Sequence, residues 1–384
     1  MSAQTIHRVP TTHLNSAGTG RMPAAVRAVL ADRTAQDDRG PYAPEESLAP
    51  VLDAEIHERL GALLGVPARR TALFTGAADA FDSYVSRLPL GPGDRIWTTP
   101  HEGVARLVTL HALRARTRCT LEVVPLREDG DLDLDWMREH LDEHVALVSV
   151  VHVSSACGTV NPVEAIGRLL AAHRALYAVD ASHSVGRLPV DATRIGCELL
   201  TADGWRFLRG PVGTGFGYVA PGLGESMAKP PAAAAVAALN EALAVHAADT
   251  SLPYEDLLPL LRDALGRLPG IRLLAPGRKQ SGIVGFRHEE VPAALIRRGL
   301  ARRGVVVRKS VAQETPLHPA SRTGTTAVEA SVHHDNTPAD IDRFTLALGE
   351  VLREERRPAA APAAAPAPAS ASRPVRALAL VESA

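Results

Sequence analysis

Polar residues that could serve cofactor chemistry follow apolar runs in the middle of the chain. Asp180 comes directly after Leu176–Val179, and a second run, Glu198–Thr201, leads towards a Gly-rich segment that contains Thr214. Apolar runs bracketed by Asp, Ser, Gly and Pro predict buried strands, and ligands bind at the carboxyl ends of such strands in open α/β sheets. An aspartate in this position offers a fixed negative charge to a cationic ring nitrogen.

Two segments could hold an anion such as a phosphate group. The run RGPVGTGFGYV provides backbone N–H groups together with the Thr214 hydroxyl. Nearer the N-terminus, TALFTGAADAF predicts a strand, a Gly turn after Gly76 and a helix that begins near Ala77. The first N–H groups of a helix have no partner inside it, so this turn could bind an anion. A strand followed by a Gly-initiated helix is equally common without a ligand, and both interpretations stand at this point.

The overall composition is typical of a globular chain with room for two domains. Its 384 residues are 46% hydrophobic and 22% charged, and the formal net charge of −1 gives no reason to expect nucleic acid or an anionic membrane as partner. Cys119, Cys157 and Cys197 form no C-x-x-C pair, so neither a disulfide framework nor a metal site such as zinc is indicated. With no apolar signal segment or membrane span, the expected location is the cytoplasm.

The order of the predicted elements indicates an α/β fold. Strands and helices alternate from about Pro23, and Val145–Val153 is a long apolar run interrupted only by Ser149 and His152, typical of a strand buried on both faces of a parallel sheet. After Pro221 an Ala-rich helix precedes a β-α-β-β-α order, typical of a small α+β domain. We therefore predict an N-terminal segment (1–22), a large domain (23–222), C-terminal helices with a small α+β domain (223–356), and a disordered Ala/Pro-rich tail (357–384).

Three segments resemble one known family. They are VDASHSVGRLPVD (179–191), DGWRFLRGPVGTGFGYV (203–219) and AVEASVHHDNTPADIDRF (327–344). Their residue patterns resemble those of the class V aminotransferase and cysteine desulfurase superfamily. The resemblance is closest to the hercynylcysteine sulfoxide lyase and isopenicillin N epimerase-like branch of that superfamily. The resemblance implies the PLP-dependent transferase fold of type I, with a mostly parallel sheet in a large domain, and pyridoxal phosphate (PLP) as cofactor.

The resemblance also implies roles for individual residues. Asp180 matches the residue that pairs with the pyridine nitrogen of PLP, and His183 follows it at the family's spacing. His101 falls where the family has a ring that stacks on PLP, and Ser155 falls where a polar side chain contacts the 3′-hydroxyl. The residues implied to surround the cofactor phosphate are Gly76, Ala77, Ala78, Asp203 and Thr214.

Several positions depart from the family's pattern. Arg206 stands in the catalytic position of the lysine that forms the Schiff base, and a guanidinium that stays protonated cannot act as this amine nucleophile. Asp203 replaces a neutral residue near the phosphate, and Trp205 replaces a basic residue or a histidine. Glu329 replaces an arginine that would clamp the substrate carboxylate, which an acidic group would repel.

Two functional hypotheses follow from this combination. One is a PLP-type lyase, desulfurase or epimerase of an amino-acid-like molecule, in which PLP or another ligand is used without an internal aldimine. The other is a pseudoenzyme, a degenerate homologue that binds a ligand or a partner subunit. In both, a homodimer is expected, with the Thr214 loop reaching across a two-fold axis. Pairing with a Lys-bearing paralogue is the alternative assembly.

Overall fold

Helices and strands alternate through the first half of the chain, as the sequence predicts. The structure is a computed structural model that describes residues 11–37, 45–224, 230–249, 254–274, 277–310, 314–319 and 326–356. The predicted Ala/Pro-rich tail, 357–384, lies outside the described residues.

The elements have the following bounds. The helices are α1 (Ala24–Asp37), α2 (Glu45–Leu64), α3 (Ala77–Val85), α4 (Val104–Thr117), α5 (Leu134–His140), α6 (Val163–Leu170), α7 (Ala192–Ile195), α8 (Ala233–Ala248), α9 (Tyr254–Gly266), α10 (Ala293–Arg302) and α11 (Pro338–Glu355). The strands are β1 (Thr12–His13), β2 (Thr71–Phe74), β3 (Arg95–Thr98), β4 (Thr120–Val123), β5 (Val145–Val151), β6 (Leu176–Asp180), β7 (Leu199–Asp203), β8 (Gly215–Val219), β9 (Ile271–Leu274), β10 (Ile283–His288), β11 (Val305–Val306), β12 (Arg308–Ser310) and β13 (Ala327–Ser331).

A seven-stranded sheet forms the centre of the large domain. Its strand order is β2-β8-β7-β6-β5-β3-β4, and neighbouring strands are parallel except that β8 runs antiparallel to both β2 and β7. Every residue of β5 is buried. Val148 and Val150 join one apolar core and Leu147 joins another, so the sheet is packed on both faces. The predicted α/β fold with a mostly parallel sheet is confirmed.

A four-stranded antiparallel sheet, in the order β12-β13-β10-β9, follows near the C-terminus. Its core includes Phe286 of β10 and Phe344 of α11, whose rings meet edge to face with centroids 6.1 Å apart. β1 pairs in parallel with β11, and Leu14 is buried in the same core. The first described residues are therefore attached to the C-terminal part of the chain.

The two helices between the sheets pack on different cores. Leu239 and Leu243 of α8 lie in the core of the large sheet, whereas Leu257 and Leu261 of α9 lie in the core of the small one. The chain therefore passes from one core to the other between α8 and α9. Within the described ranges, we find no helix that combines the length and apolar character needed to cross a bilayer.

Candidate functional site

The candidate site lies where β6 and β7 end beside the start of α3. Asp180 is the last residue of β6 and Asp203 the last residue of β7. Because the two strands are parallel neighbours, both carboxylates lie at the same edge of the sheet. The start of α3 reaches this edge because Gly215 leaves room for it: a Cβ on Gly215 would lie 2.5 Å from the Cα of Gly76.

The Asp203 carboxylate occupies the N-terminus of α3. Its Oδ1 accepts a hydrogen bond from the backbone N–H of Ala77 at 2.9 Å. Trp205 covers the turn, because a Cβ on Gly76 would lie 3.3 Å from the Trp205 ring and 3.6 Å from Asp203 Oδ1. Burial raises the pKa of Asp203, and the Arg206 guanidinium opposes that effect. The N-terminus of α3 therefore binds an anionic group, and that group is the Asp203 carboxylate of the same chain.

Arg206 is fixed by contacts on two sides. Its Nε donates to Asp203 Oδ2 at 2.8 Å, and its Nη1 donates to the carbonyl oxygen of Ala17 at 2.6 Å. The N-terminal segment also lies against its backbone, since a Cβ on Gly20 would be 2.0 Å from the Arg206 carbonyl oxygen. The Arg206 side chain thus neutralises Asp203 and ties the loop after β7 to the N-terminal segment.

Asp180 and His183 lie beside this pair. Asp180 is half-buried, and its Oδ1 accepts a hydrogen bond from the backbone N–H of Ser182 at 2.8 Å. His183 is buried, and burial together with the nearby guanidinium groups of Arg206 and Arg308 holds its pKa well below the usual value. The imidazole is therefore neutral at neutral pH, and its Nε2 has no hydrogen-bond partner among the residues that the structure describes.

Glu329 lies on β13 and is paired with an arginine of the neighbouring strand. Its Oε2 accepts a hydrogen bond from Arg308 Nη1 at 3.2 Å, and Arg308 also pairs with Glu314. Burial raises the pKa of Glu329 to about 7, although Arg308 acts in the opposite direction. Arg308 thus places a guanidinium directly beside Glu329. Because two carboxylates already engage it, it is a poor clamp for a third.

The remaining predicted residues lie around this edge with internal contacts of their own. His101 is buried, its Nδ1 lies 3.1 Å from the Asn161 amide nitrogen, and burial lowers its pKa to about 4. The Thr214 hydroxyl donates to the carbonyl oxygen of Pro211 at 2.7 Å and is fully buried in the single chain. Ser155 is half-buried in the turn after β5. The roles of these residues towards a cofactor or across a dimer interface stay predictions.

A buried ion pair beneath the site escaped the sequence analysis. Glu102 and Arg106 are almost fully buried and lie 3.0 Å apart. Ser149 of β5 joins them, because it accepts from Arg106 at 2.8 Å and donates to Glu102 at 2.7 Å. Glu102 also lies near enough to Asp180 for the two charges to interact. The spacing of four residues at a helix start was the available signal, but most pairs with this spacing lie on the surface.

The residues present do not fit the phosphate of PLP. A phosphate monoester carries a charge of about −1.5 to −2 at neutral pH. It would have to share the helix start with the Asp203 carboxylate, which already accepts the Ala77 N–H and pairs with Arg206. A cavity of about 650 Å³ lies elsewhere, beside α6, and none of the residues Asp180, Asp203 and Arg206 lines it. The site as described has neither a lysine for a Schiff base nor an open phosphate position.

Comparison with known proteins places the chain in one family. Residues 13–243 match the profile of the aminotransferase class-V family. The chain is 27% identical to a probable cysteine desulfurase of Synechocystis sp., over 91% of this chain and 93% of that protein. It is 25% identical to a probable cysteine desulfurase of Halalkalibacterium halodurans, over 90% of this chain and 94% of that protein.

Several solved structures share the fold of this chain. The cysteine desulfurase CsdA of Escherichia coli superposes with a TM-score of 0.79 at 20% identity, covering 90% of this chain and 95% of that one. The apo cysteine desulfurase of Thermococcus onnurineus gives a TM-score of 0.80 at 19% identity with the same coverage. A mutant of C-DES with glycine covalently linked to its PLP cofactor gives 0.78 at 19% identity, covering 89% of this chain and 97% of that one.

The fold and the family match therefore define this protein as an α/β protein of the PLP-dependent transferase type. It belongs to the class-V aminotransferase family.

Proposed function

We propose that this chain is a class-V family member that has replaced the cofactor phosphate by its own Asp203 carboxylate, and that it acts as a binding or partner subunit without Schiff-base chemistry. One observation carries the proposal: Asp203 accepts the Ala77 N–H at 2.9 Å and the Arg206 Nε–H at 2.8 Å. Asp203 and Arg206, which both depart from the family's pattern, therefore form an ion pair with each other.

Energetics favour the internal carboxylate over an incoming phosphate. To bind phosphate at the start of α3, Asp203 would have to leave both of its partners or remain next to a second anion. Breaking a buried ion pair costs about 3 kcal/mol or more. Each 1.4 kcal/mol is a factor of about ten in affinity, so this cost lowers the affinity for a phosphorylated cofactor by more than about 100-fold.

The charge of the site supports a neutral or cationic ligand. Asp180, Asp203 and Glu329 all lie at or near the edge, and the arginines beside the latter two are already paired. A simple amino-acid carboxylate would have to compete with these carboxylates for the same guanidinium groups. We therefore expect it to bind poorly.

A partner subunit is supported by the loop after β7. Val212, in this loop, is 67% exposed in the single chain. Apolar burial against a second subunit needs neither a lysine nor PLP. A homodimer is the simpler assembly, and a Lys-bearing paralogue is the alternative partner. A cytoplasmic location completes the proposal.

The second candidate is a lysine-independent use of PLP, in the manner of a lyase, desulfurase or epimerase. Two observations favour it: Asp180 is retained at the end of β6, and a C-DES mutant with a lysine changed to alanine holds glycine linked to PLP. The loop DGWRFLRGPVGTGF further supports the hercynylcysteine sulfoxide lyase and isopenicillin N epimerase-like branch.

A cofactor titration separates the two candidates. The purified protein is incubated with PLP, with and without an amino acid, and scanned for the visible band of an aldimine before borohydride reduction and mass spectrometry. We expect no band and no pyridoxyl adduct. A band that needs the amino acid would support the second candidate, and an adduct on Lys229, Lys279 or Lys309 would overturn both. Arg206→Lys alone should not restore full lyase activity, because Asp203 and Glu329 remain. Asp203→Ser combined with Arg206→Lys should gain the aldimine band.

A further inference from the structure

Three potential metal ligands from distant parts of the sequence meet next to the candidate site. His101 follows β3, Cys157 lies in the turn after β5, and His318 belongs to the described segment 314–319 between β12 and β13. One ring nitrogen of each histidine and the thiol sulfur all lie within 4.8 Å of one another. The three residues are 1%, 0% and 5% exposed, respectively.

The distances are close to those of a metal centre. Cys157 Sγ lies 3.8 Å from His318 Nε2, and the two histidine rings are tilted with centroids 5.5 Å apart. In a tetrahedral zinc site, bonds of about 2.0 Å to nitrogen and about 2.3 Å to sulfur place the ligand atoms roughly 3.5 Å apart. Because the three donor atoms already lie within 4.8 Å of one another, small side-chain rotations would bring them to that spacing.

One donor atom of the cluster has no partner of its own. His101 Nε2 is buried without a hydrogen-bond partner within the described ranges, which is costly unless another group satisfies it. Binding through Nε2 requires the ring proton on Nδ1, so the contact from the Asn161 amide would be given up for the metal bond.

We propose that His101, Cys157 and His318 bind a borderline divalent cation of the Zn²⁺ class, with a fourth position left for water or a ligand. Two imidazoles and a thiolate favour zinc over Mg²⁺ or Ca²⁺, which prefer oxygen ligands. The metal clips the segment 314–319 onto the large domain. The absence of C-x-x-C spacing argued against zinc in the sequence, but Cys157 and His318 are 161 positions apart and only the fold brings them together.

Cobalt substitution tests the site without any assumption about the protein's activity. The full chain is stripped with a chelator and titrated with Co²⁺, which gives thiolate charge-transfer absorption in the near ultraviolet only when a cysteine is a ligand. We expect one Co²⁺ per chain, displaced by Zn²⁺, with release of the thiol proton. Cys157→Ser and His318→Asn should each abolish the thiolate band. Cys197→Ser is the matched control, because Cys197 is also buried but lies outside the cluster, and it should keep the band.

Three results would overturn the proposal. A folded wild-type chain, judged by circular dichroism, that gives no thiolate band would exclude the site, as would a band that persists in Cys157→Ser. If Cys157→Ser does not fold, His318→Asn decides between the outcomes. Zn²⁺ should also raise the melting temperature of the wild type and of the Cys197 variant but not that of His318→Asn; an equal rise in all three would count against the cluster.

Discussion

Removing the Arg206 side chain should destabilise the fold, because it leaves the Asp203 carboxylate buried without its counter-ion. The side chains of the pair are 19% and 8% exposed, so the pair is largely shielded from water. Losing one member of a buried pair costs roughly 3–5 kcal/mol. Asp203 keeps the Ala77 N–H as a donor, so we expect Arg206→Ala to lose about 3 kcal/mol, at the lower end of this range.

The loss of stability in Arg206→Ala should grow as pH rises. Burial already raises the pKa of Asp203, and Arg206 is the main group that opposes this effect. Without Arg206 the folded-state pKa rises further above the unfolded value of about 3.9. The folded state then binds the proton more tightly than the unfolded state, so the destabilisation is absent below the unfolded pKa and grows as pH rises through the folded pKa.

Urea denaturation followed by circular dichroism, at about pH 5 and about pH 8, measures both effects. Arg138→Ala is the control, because Arg138 and its partner Asp135 are each 62% exposed and an exposed pair contributes under about 1 kcal/mol. The double variant Asp203→Ala with Arg206→Ala should recover part of the loss, since no buried charge is left. If Arg206→Ala behaved like the control at both pH values, the internal pair would not fill the site as described.

Two further predictions concern the charge at Glu329 and the assembly. Burial raises the pKa of Glu329 to about 7, so its contribution to stability is full below the unfolded pKa of about 4.3 and is lost as pH rises through the folded value. Glu329→Gln should match the wild type in urea stability at about pH 4 and exceed it at about pH 8. A variant that is less stable than the wild type at the higher pH would contradict this. Light scattering at micromolar concentration should give the mass of a dimer, which Val212→Asp should weaken; Leu346→Asp is the control, because Val212 and Leu346 are 67% and 65% exposed. A monomeric wild type would remove the proposed assembly.

Much of the fold was predictable because its signals are local. The long apolar run of β5, the Gly turn before α3 and the aspartate at the end of β6 each depend on a short stretch of chain. The helix start near Ala77 was predicted at the residue where it is found. The sheet follows from these elements, because alternating strands and helices favour parallel pairing.

The contacts that define the site were not predictable in the same way. Asp203 and Arg206 were recognised as departures from the family's pattern, but Asp203 meets Ala77 across 126 positions of sequence. Arg308 likewise reaches Glu329 only because β12 pairs with β13. Such contacts depend on strand order and register, which no single stretch of the chain encodes. Two substitutions that look like separate losses in the sequence form one ion pair in the fold.

The most direct test of the central claim is the affinity of the wild-type chain for PLP compared with pyridoxal, which lacks the phosphate, by equilibrium dialysis. If Asp203 fills the phosphate position, the phosphate adds no favourable contact, and the two ligands should bind equally weakly or PLP more weakly. Asp203→Asn, which removes the charge, should shift the preference towards PLP. Wild-type binding of PLP about tenfold or more tighter than pyridoxal, a difference of about 1.4 kcal/mol, would contradict the account.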